Sequence, residues 1–326
     1  MKKCCFIIPY FGKMPNYFEL FLKSCEKNPD YDWLIFGNDQ EKYNLPSNVS
    51  FIHITFEELH KMINDKMNME CVISEVHKLC DYKPAYGLIF EDYLKKYEFW
   101  GHCDLDIILG NLNDFITEEM LNTYDKIFCL GHMILYKNDY DINRLFMKPV
   151  DGNLLYKKVF STDKTLIFDE TFGGKENIDT IFRTYNKKVY SDDVSFNVKI
   201  FPSKFIRTKF DYETYSFNNE KYVDALYLWD DGKIKRIYVS ENKLKEEEFA
   251  YIHLQQRNMK FKKEVLKLKC FKIIPNEFQK CEFNEITIEN FKKIKRRNII
   301  CLHSIATQIK WKRKGLKKRL KKYVRI

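Results

Sequence analysis

Two aspartates separated by one residue, Asp104-Leu105-Asp106, follow the apolar run Phe99-Trp100-Gly101-His102-Cys103. An apolar strand ending in acidic residues places carboxylates at its carboxyl end, where α/β sheets bind ligands. Side chains two apart on a strand share a face, so the spacing predicts Asp104 and Asp106 on one side. Two hard oxygen donors there suit Mg²⁺ or Mn²⁺, ions that commonly share their coordination with substrate phosphates. The spacing alone is not specific, because carboxylates at a strand end often do no more than face water.

The elements around this pair read as alternating strand and helix. Cys4 to Ile8 form an apolar run that stops at Pro9, and Pro15 opens a helix with Phe18, Phe21, Leu22 and Cys25 on one face. Strands are predicted over 32–36 and 49–54, with a helix over 56–66 between them and the next unit. Pro84 is expected to start a helix with Ala85, Leu88, Ile89 and Tyr93 spaced for burial, leading straight into the strand that carries the two aspartates. Residues 126–136 read as one or two strands broken at Gly131, and 138–202 as short helices and loops lining a site. Trp229-Asp230-Asp231-Gly232 is a hairpin turn signal, and a strand is predicted over 248–254. This alternation predicts an α/β fold whose mixed sheet is flanked by helices.

The chain has 326 residues, 45% hydrophobic and 16% aromatic, enough to bury a sizeable core and incompatible with a disordered or collagen-like protein. Its net charge is +10, but residues 291–326 hold 15 Lys or Arg and no acidic residue. The remainder carries 41 basic against 46 acidic residues and is mildly acidic. The basic charge is therefore a local device of the tail, which argues against a general nucleic-acid-binding surface. Ten cysteines without a CxxC pair read as reduced, mostly buried thiols. No run approaches the ~18 apolar residues of a membrane span, and a cytoplasmic protein is expected. A main domain over 1–285 and a basic helical tail over 286–326 are expected.

KPAYGLIFEDYLKKYEFWGHCDLDIILGNL resembles the metal-binding segment of GT-A glycosyltransferases. IIPYFGKMPNYFELFLKSCEKN followed by DWLIFGND is similar to the nucleotide-facing first half of that fold. With LGHMILYKN, FDETFGG and YIHLQQR, these segments resemble a bacterial group of GT-A-like proteins associated with surface polysaccharide synthesis, capsule or lipopolysaccharide. The resemblance implies a GT-A-like fold and transfer of a sugar from a nucleotide-diphosphate sugar, expected to be a UDP-sugar. The acceptor it implies is a growing glycan or a lipid-linked oligosaccharide. In that family the first carboxylate contacts the ribose or a metal-bound water and the second ligates the metal.

Carried onto this chain, the resemblance puts Pro9, Tyr10 and Phe11 against the nucleoside and Asn38 and Asp39 at the base or ribose. Lys83 becomes a phosphate contact and Arg257 a phosphate or acceptor contact, and His253 joins Asp104 and Asp106 as a ligand of Mn²⁺ or Mg²⁺. His132 is placed on the acceptor side with Gly173 and Gly174, whose lack of a Cβ permits close approach of a ligand. If the reaction inverts, Asp169 or Glu170 is the natural base for the acceptor hydroxyl, with Asp192 and Asp193 competing. The helix before the motif is similar to that of retaining glycogenin-like and mannosyltransferase-like enzymes, which favours retention, although their diagnostic residues are incompletely present here.

In the tail, Ile305, Ile309, Leu316, Leu320 and Tyr323 mark one helical stripe among Lys310, Lys312, Arg313, Lys314 and further basic residues. Such a helix can lie on an anionic leaflet, which would hold the protein on the inner face of the cytoplasmic membrane. The alternative function is a non-catalytic membrane- or nucleic-acid-binding protein acting through this tail. A sugar nucleotidyltransferase is disfavoured because no Gly-rich triphosphate loop lies near the N-terminus.

Overall fold

The structure is a computed structural model. It describes residues 2–295, apart from 172, 173, 200, 202, 203, 256, 258, 282 and 284, and beyond 295 only residues 306, 309, 310, 312, 313 and 316. In chain order, strands β1 (Cys4–Pro9), β2 (Tyr31–Gly37), β3 (Val49–His53) and β4 (Phe99–Cys103) lead to β5 (Ile107–Leu109), β6 (Lys126–Ile127) and β7 (Met133–Lys137). Then follow β8 (Val189–Tyr190), β9 (Phe196–Asn197), β10 (Thr208–Asp211) and β11 (Ser216–Asn219). The last are β12 (Leu226–Asp230), β13 (Lys233–Ser240), β14 (Lys243–Phe249), β15 (Tyr251–His253), β16 (Cys270–Ile274) and β17 (Glu277–Lys280).

The central sheet has seven strands in the order β3-β2-β1-β4-β7-β6-β8. The pairs β3/β2, β2/β1 and β1/β4 are parallel, β4/β7 and β7/β6 antiparallel, and β6/β8 parallel, so the sheet is mixed. Its strands are apolar on both faces, as a helix-covered sheet requires. Along β1, Cys4, Phe6 and Ile8 pack with Trp33 and with Phe18 and Phe21 of helix α1 (Phe18–Glu26), while Cys5 and Ile7 pack with Leu59 and Ile63 of α2 (Phe56–Met67). Helix α2 starts in a capping box, in which Thr55 Oγ1 accepts from the Glu58 amide at 3.1 Å and Glu58 Oε2 accepts from the Thr55 amide at 2.8 Å.

Pro84 does not begin a long helix. A 3₁₀ stretch, Val76–Ala85, encloses it, and only single α-turns at Tyr86–Ile89 and Glu91–Leu94 follow. Residues three apart eclipse one another in a 3₁₀ helix. Lys78 and Asp81 are so related and form a fully buried ion pair at 2.7 Å.

The strand expected to run through the two aspartates divides. β4 stops at Cys103, a bend covers the aspartates, and the chain enters β5 of a three-stranded sheet ordered β5-β15-β9. β15 runs antiparallel to β5, pairing His253 with Ile107, and parallel to β9, pairing His253 with Asn197. The small sheet thus delivers His253 beside Asp106 across 146 intervening positions of sequence, a juxtaposition set by register alone.

A five-stranded antiparallel sheet, β14-β13-β12-β16-β17, stands apart from the central one. Its β12–β13 turn is the one read from the sequence: Asp230 pairs with Lys233, and Asp231 and Gly232 both have positive φ, 43° and 96°. Trp229 Nε1 donates to the Leu109 carbonyl at 3.0 Å and ties this sheet to β5. Helix Ile288–Lys295 buries Phe291 and Ile294 against Leu226, Leu228 and Ile237, so the first turns of the segment expected as tail pack on the body. Among the tail residues described, Ile309 and Leu316 are helical and exposed, as are Lys310, Lys312 and Arg313. Ile305, Leu320, Tyr323 and Lys314 lie outside the described residues. Among the described residues no helix is long and apolar enough to cross a membrane.

Candidate active site

A cleft of about 920 Å³ opens at the carboxyl ends of β1 and β4. On its floor the bend after β4 brings Asp104, Asp106 and His253 together, with one potential ligand atom from each within 4.8 Å of the others. His253 Nε2 lies 3.3 Å from Asp106 Oδ1 and 4.0 Å from Asp104 Oδ2. Backbone bonds fix the bend: the Asp104 amide donates to the His132 carbonyl at 3.0 Å, and the Leu254 amide to the Asp106 carbonyl at 2.8 Å. The aspartates converge as expected, but through this bend rather than through the pleat of a strand.

The donor set fits a divalent cation. Two carboxylates and an imidazole match Mg²⁺ or Mn²⁺ chemistry. The far nitrogen of His253, Nδ1, meets Asn197 Oδ1 at 3.1 Å, which favours a proton there and leaves Nε2 free to ligate. Gln255 Nε2 donates to the same Asn197 oxygen at 2.8 Å. Burial opposes a charged His253, yet Asp106 and then Asp104 hold its pKa above the ordinary histidine value. Asn197 carries no sequence signal, because its role depends on the β9–β15 pairing.

Lys83 lines the cleft beside the pair. Its ammonium donates to Asp104 Oδ1 at 2.9 Å and to the Gly131 carbonyl at 2.7 Å, and lies 3.3 Å from Asp169 Oδ2. Burial works against that charge, but Asp104, Cys80 and Asp169 keep it well above the usual lysine range. Gly131 also donates its amide to Glu170 Oε2 at 2.8 Å. A Cβ on Gly131 would lie 2.5 Å from Asp169 Oδ2, so the loop can close on these carboxylates only at glycine.

Asp169 and Glu170 both line the cleft. Burial pushes Asp169 up to about 7 against the pull of Lys83, with Glu170 adding to the rise, and burial likewise raises Glu170. An unfolded aspartate titrates near 4. Between about pH 4 and pH 7 the folded protein therefore holds the proton more tightly, so this group's share of stability is complete below 4 and lost as pH rises through 7. Asp169→Asn lacks that loss, and its Tm is expected to rise relative to wild type as pH goes from 4 to 8. Parallel Tm curves in differential scanning calorimetry would remove the argument.

Of the other residues assigned from sequence, Pro9, Tyr10, His132 and Arg257 line the cleft. Arg257 is already engaged: its guanidinium donates to the carbonyls of Phe201, Pro275 and Lys199 at 2.7, 3.1 and 3.0 Å. Burial lowers its pKa to about 10. It organises the loops at the rim while lining the cleft, and its Nε has no hydrogen-bond partner in the protein. Phe11 turns away from the cleft and packs edge-on against Phe56 at 5.2 Å. Asn38 and Asp39 lie outside the lining as well. Asn38 Oδ1 accepts from the Gly12 amide, and Asp39 accepts from the amides of Met14 and Glu41 and the Tyr43 hydroxyl. They shape the loop after β1. Asp192 and Asp193 border a separate small cavity, and Asp193 Oδ1 is held by Ser195. Gly174 has a φ of 132° and lies outside the lining, while Gly173 lies outside the described residues. Asn16 and Tyr17 line the cleft near Tyr10 without having been singled out from sequence.

A profile of the family of unknown function DUF6625 matches residues 6–282. No curated protein matches the chain. Solved structures similar to it include an active-site mutant of LgtC, with a TM-score of 0.36 and 9% identity over 60% of this chain and 74% of that one. The galactosyltransferase LgtC with donor and acceptor sugar analogs gives a TM-score of 0.35 and 10% identity over 60% and 75%. Mouse xyloside xylosyltransferase 1 in its apo form gives 0.34 and 9% over 61% and 88%. Likenesses of this degree carry no argument about fold or activity.

Proposed function

The chain belongs to DUF6625, a family of unknown function, and we propose that it is a metal-dependent glycosyltransferase of GT-A type. It takes a sugar from a nucleotide-diphosphate sugar, a UDP-sugar by the resemblance of its motifs, and passes it to a growing surface glycan or lipid-linked oligosaccharide. The observation that carries this reading is the Asp104, Asp106 and His253 cluster on the floor of a cleft at the strand ends. Such clefts of roughly 300–1,000 Å³ are the usual place for a small-molecule site in an α/β fold.

Asp104, Asp106 and His253 would hold Mn²⁺ or Mg²⁺. When bound, the cation supplies Lewis-acid neutralisation of the diphosphate leaving group. Pro9, Tyr10 and Tyr17 supply the apolar and aromatic wall suited to a nucleoside. Lys83 holds Asp104 in place and balances the charge of Asp169, so the two carboxyl groups can face one ligand without repelling each other into solvent. Asp169 and Glu170 are the acidic groups positioned to bind or deprotonate sugar hydroxyls, and retention is the favoured outcome. The exposed Ile309 and Leu316 with Lys310, Lys312 and Arg313 support a tail that rests on an anionic leaflet beside a lipid-linked acceptor on the cytoplasmic face.

Isothermal titration of the purified protein with UDP, GDP and CDP, each with and without Mn²⁺, tests this reading. One nucleotide is expected to bind only with the metal. No binding of any nucleotide by folded protein would overturn the assignment.

A further inference from the structure

Ile167 has a φ of 59°, in the left-handed region, and among the described residues it is the only β-branched one with positive φ. A branched Cβ is crowded in that conformation, a cost that glycine would not incur. Bonds on both sides impose it. The two oxygens of buried Asp81 accept from the amides of Leu166 at 2.9 Å and Phe168 at 3.0 Å, and Asp81 is paired with Lys78 at 2.7 Å. Leu166 and Phe168 pack in the core with Leu79 and Tyr82, whereas Ile167 between them lines the cleft.

Core packing does not account for an isoleucine here. Ile167 is half-buried and belongs to none of the hydrophobic clusters among the described residues. Prolines apart, the same is true of two other aliphatic or aromatic residues of the cleft, Val76, which is 40% exposed, and Phe217 of β11. Backbone strain kept at a cleft wall without a packing gain points to a contact with the ligand. The neighbouring groups limit what that ligand is. Thr165, Asp169 and Glu170 line the same cleft within three residues of Ile167. A purely apolar chain would leave their polar groups unpaired, and an anion would meet two carboxyl groups. A neutral ring with C–H groups on one face and hydroxyls at its edge suits both the apolar and the polar groups.

We propose that Ile167 is a specificity-determining residue: held in the left-handed conformation by Asp81, it packs against the C–H face of a hydroxylated ring whose hydroxyls meet Thr165, Asp169 and Glu170. Val76 and Phe217 extend the apolar surface. That the ring is the sugar of a donor or of an acceptor rests on the glycosyltransferase reading; the strained placement does not. The contact selects between epimers, because an axial hydroxyl on that face would be buried against the isoleucine without a partner.

Two truncations test the strain. Ile167→Gly and Ile167→Ala both remove the branched side chain, and at an ordinary position the alanine variant is the more stable. Here the glycine variant is expected to have the higher Tm, by about 2 °C; equal or reversed values overturn the strained placement. The contact is read from isoleucine-methyl spectra of the full chain in Mn²⁺, with the Ile167 signal identified by its loss in Ile167→Val. The probes are UDP, UDP-glucose, UDP-galactose, UDP-N-acetylglucosamine and the free sugars and their disaccharides. A shift with a UDP-sugar but not with UDP assigns the ring to the donor, and a shift with a free saccharide beside UDP, but with no UDP-sugar, assigns it to the acceptor. Affinity for the probe that moves the signal is expected to fall about tenfold in both truncated variants. A signal that no saccharide moves, one that UDP alone moves as far, or unchanged affinity in both folded variants overturns the contact. If free saccharides move the signal and no nucleotide or nucleotide sugar binds, the contact stands and the glycosyltransferase reading fails.

Discussion

Asp106→Asn is expected to lower turnover of the nucleotide sugar by about 10² to 10⁴, with circular dichroism and Tm close to wild type. The magnitude follows from the several kcal/mol that a Lewis-acid cation contributes to stabilising a charged leaving group, at about 1.4 kcal/mol per tenfold in rate. The fold is expected to survive because the part of Asp106 that the bend depends on is its carbonyl, which accepts from Leu254 in the variant as in the parent. His253 loses the charge that raises its pKa, so its imidazole titrates at lower pH in the variant. Steady-state rates across a Mn²⁺ series separate the outcomes: a lost or strongly right-shifted metal dependence supports the site, and wild-type rates with wild-type metal dependence would remove it.

Much of that site was legible because its chemistry is local in sequence. The apolar run 99–103 followed by two aspartates announces a strand end with paired carboxylates, and β4 ends at Cys103, just before them. The reason offered by the spacing was nevertheless incomplete. Strand pleating alone would align the two side chains, whereas the chain leaves the central sheet at Asp104, buries Leu105 and enters a second sheet at Ile107. Period two and a tight bend give the same convergence here, and no local pattern separates them.

The side chains whose surroundings were least legible were those with a distant partner. Asn38 and Asp39 look like ligand contacts after a strand, but Gly12 and Met14, about 25 positions away, take their side chains. Arg257 is an exposed-looking cation in sequence and is occupied by three carbonyls in the fold. Lys83 lines the cleft, and its ammonium lies between Asp104, Gly131 and Asp169, an arrangement no local pattern announces. In each case backbone or carboxylate groups brought in by tertiary structure engage the side chain, as burial of polar groups demands. The same principle explains why Asn197 was missed: a strand residue acquires meaning only when its neighbour across the register is a metal-ligating histidine.

The second large effect concerns a pair that touches no ligand. Lys78 and Asp81 are both fully buried, 2.7 Å apart, and each has further partners. Lys78 Nζ donates to the carbonyls of Val159 and Lys164, while the two oxygens of Asp81 accept from the amides of Leu166 and Phe168. Asp81 therefore fastens the segment that leads directly into Asp169 and Glu170. Asp81→Ala strands a buried ammonium and two amides, and is expected to cost about 3–5 kcal/mol in urea unfolding. Activity should fall as well, because the segment carrying Asp169 and Glu170 loses its anchor. The double variant Lys78→Met, Asp81→Leu removes both charges and fills their space, a change that elsewhere is often neutral for stability. Here it is expected to recover only part of the loss, since the Leu166 and Phe168 amides stay unpaired, and to leave activity low. Full recovery of both stability and rate by the apolar pair would mean that the segment is held by packing around Phe168 and not by Asp81.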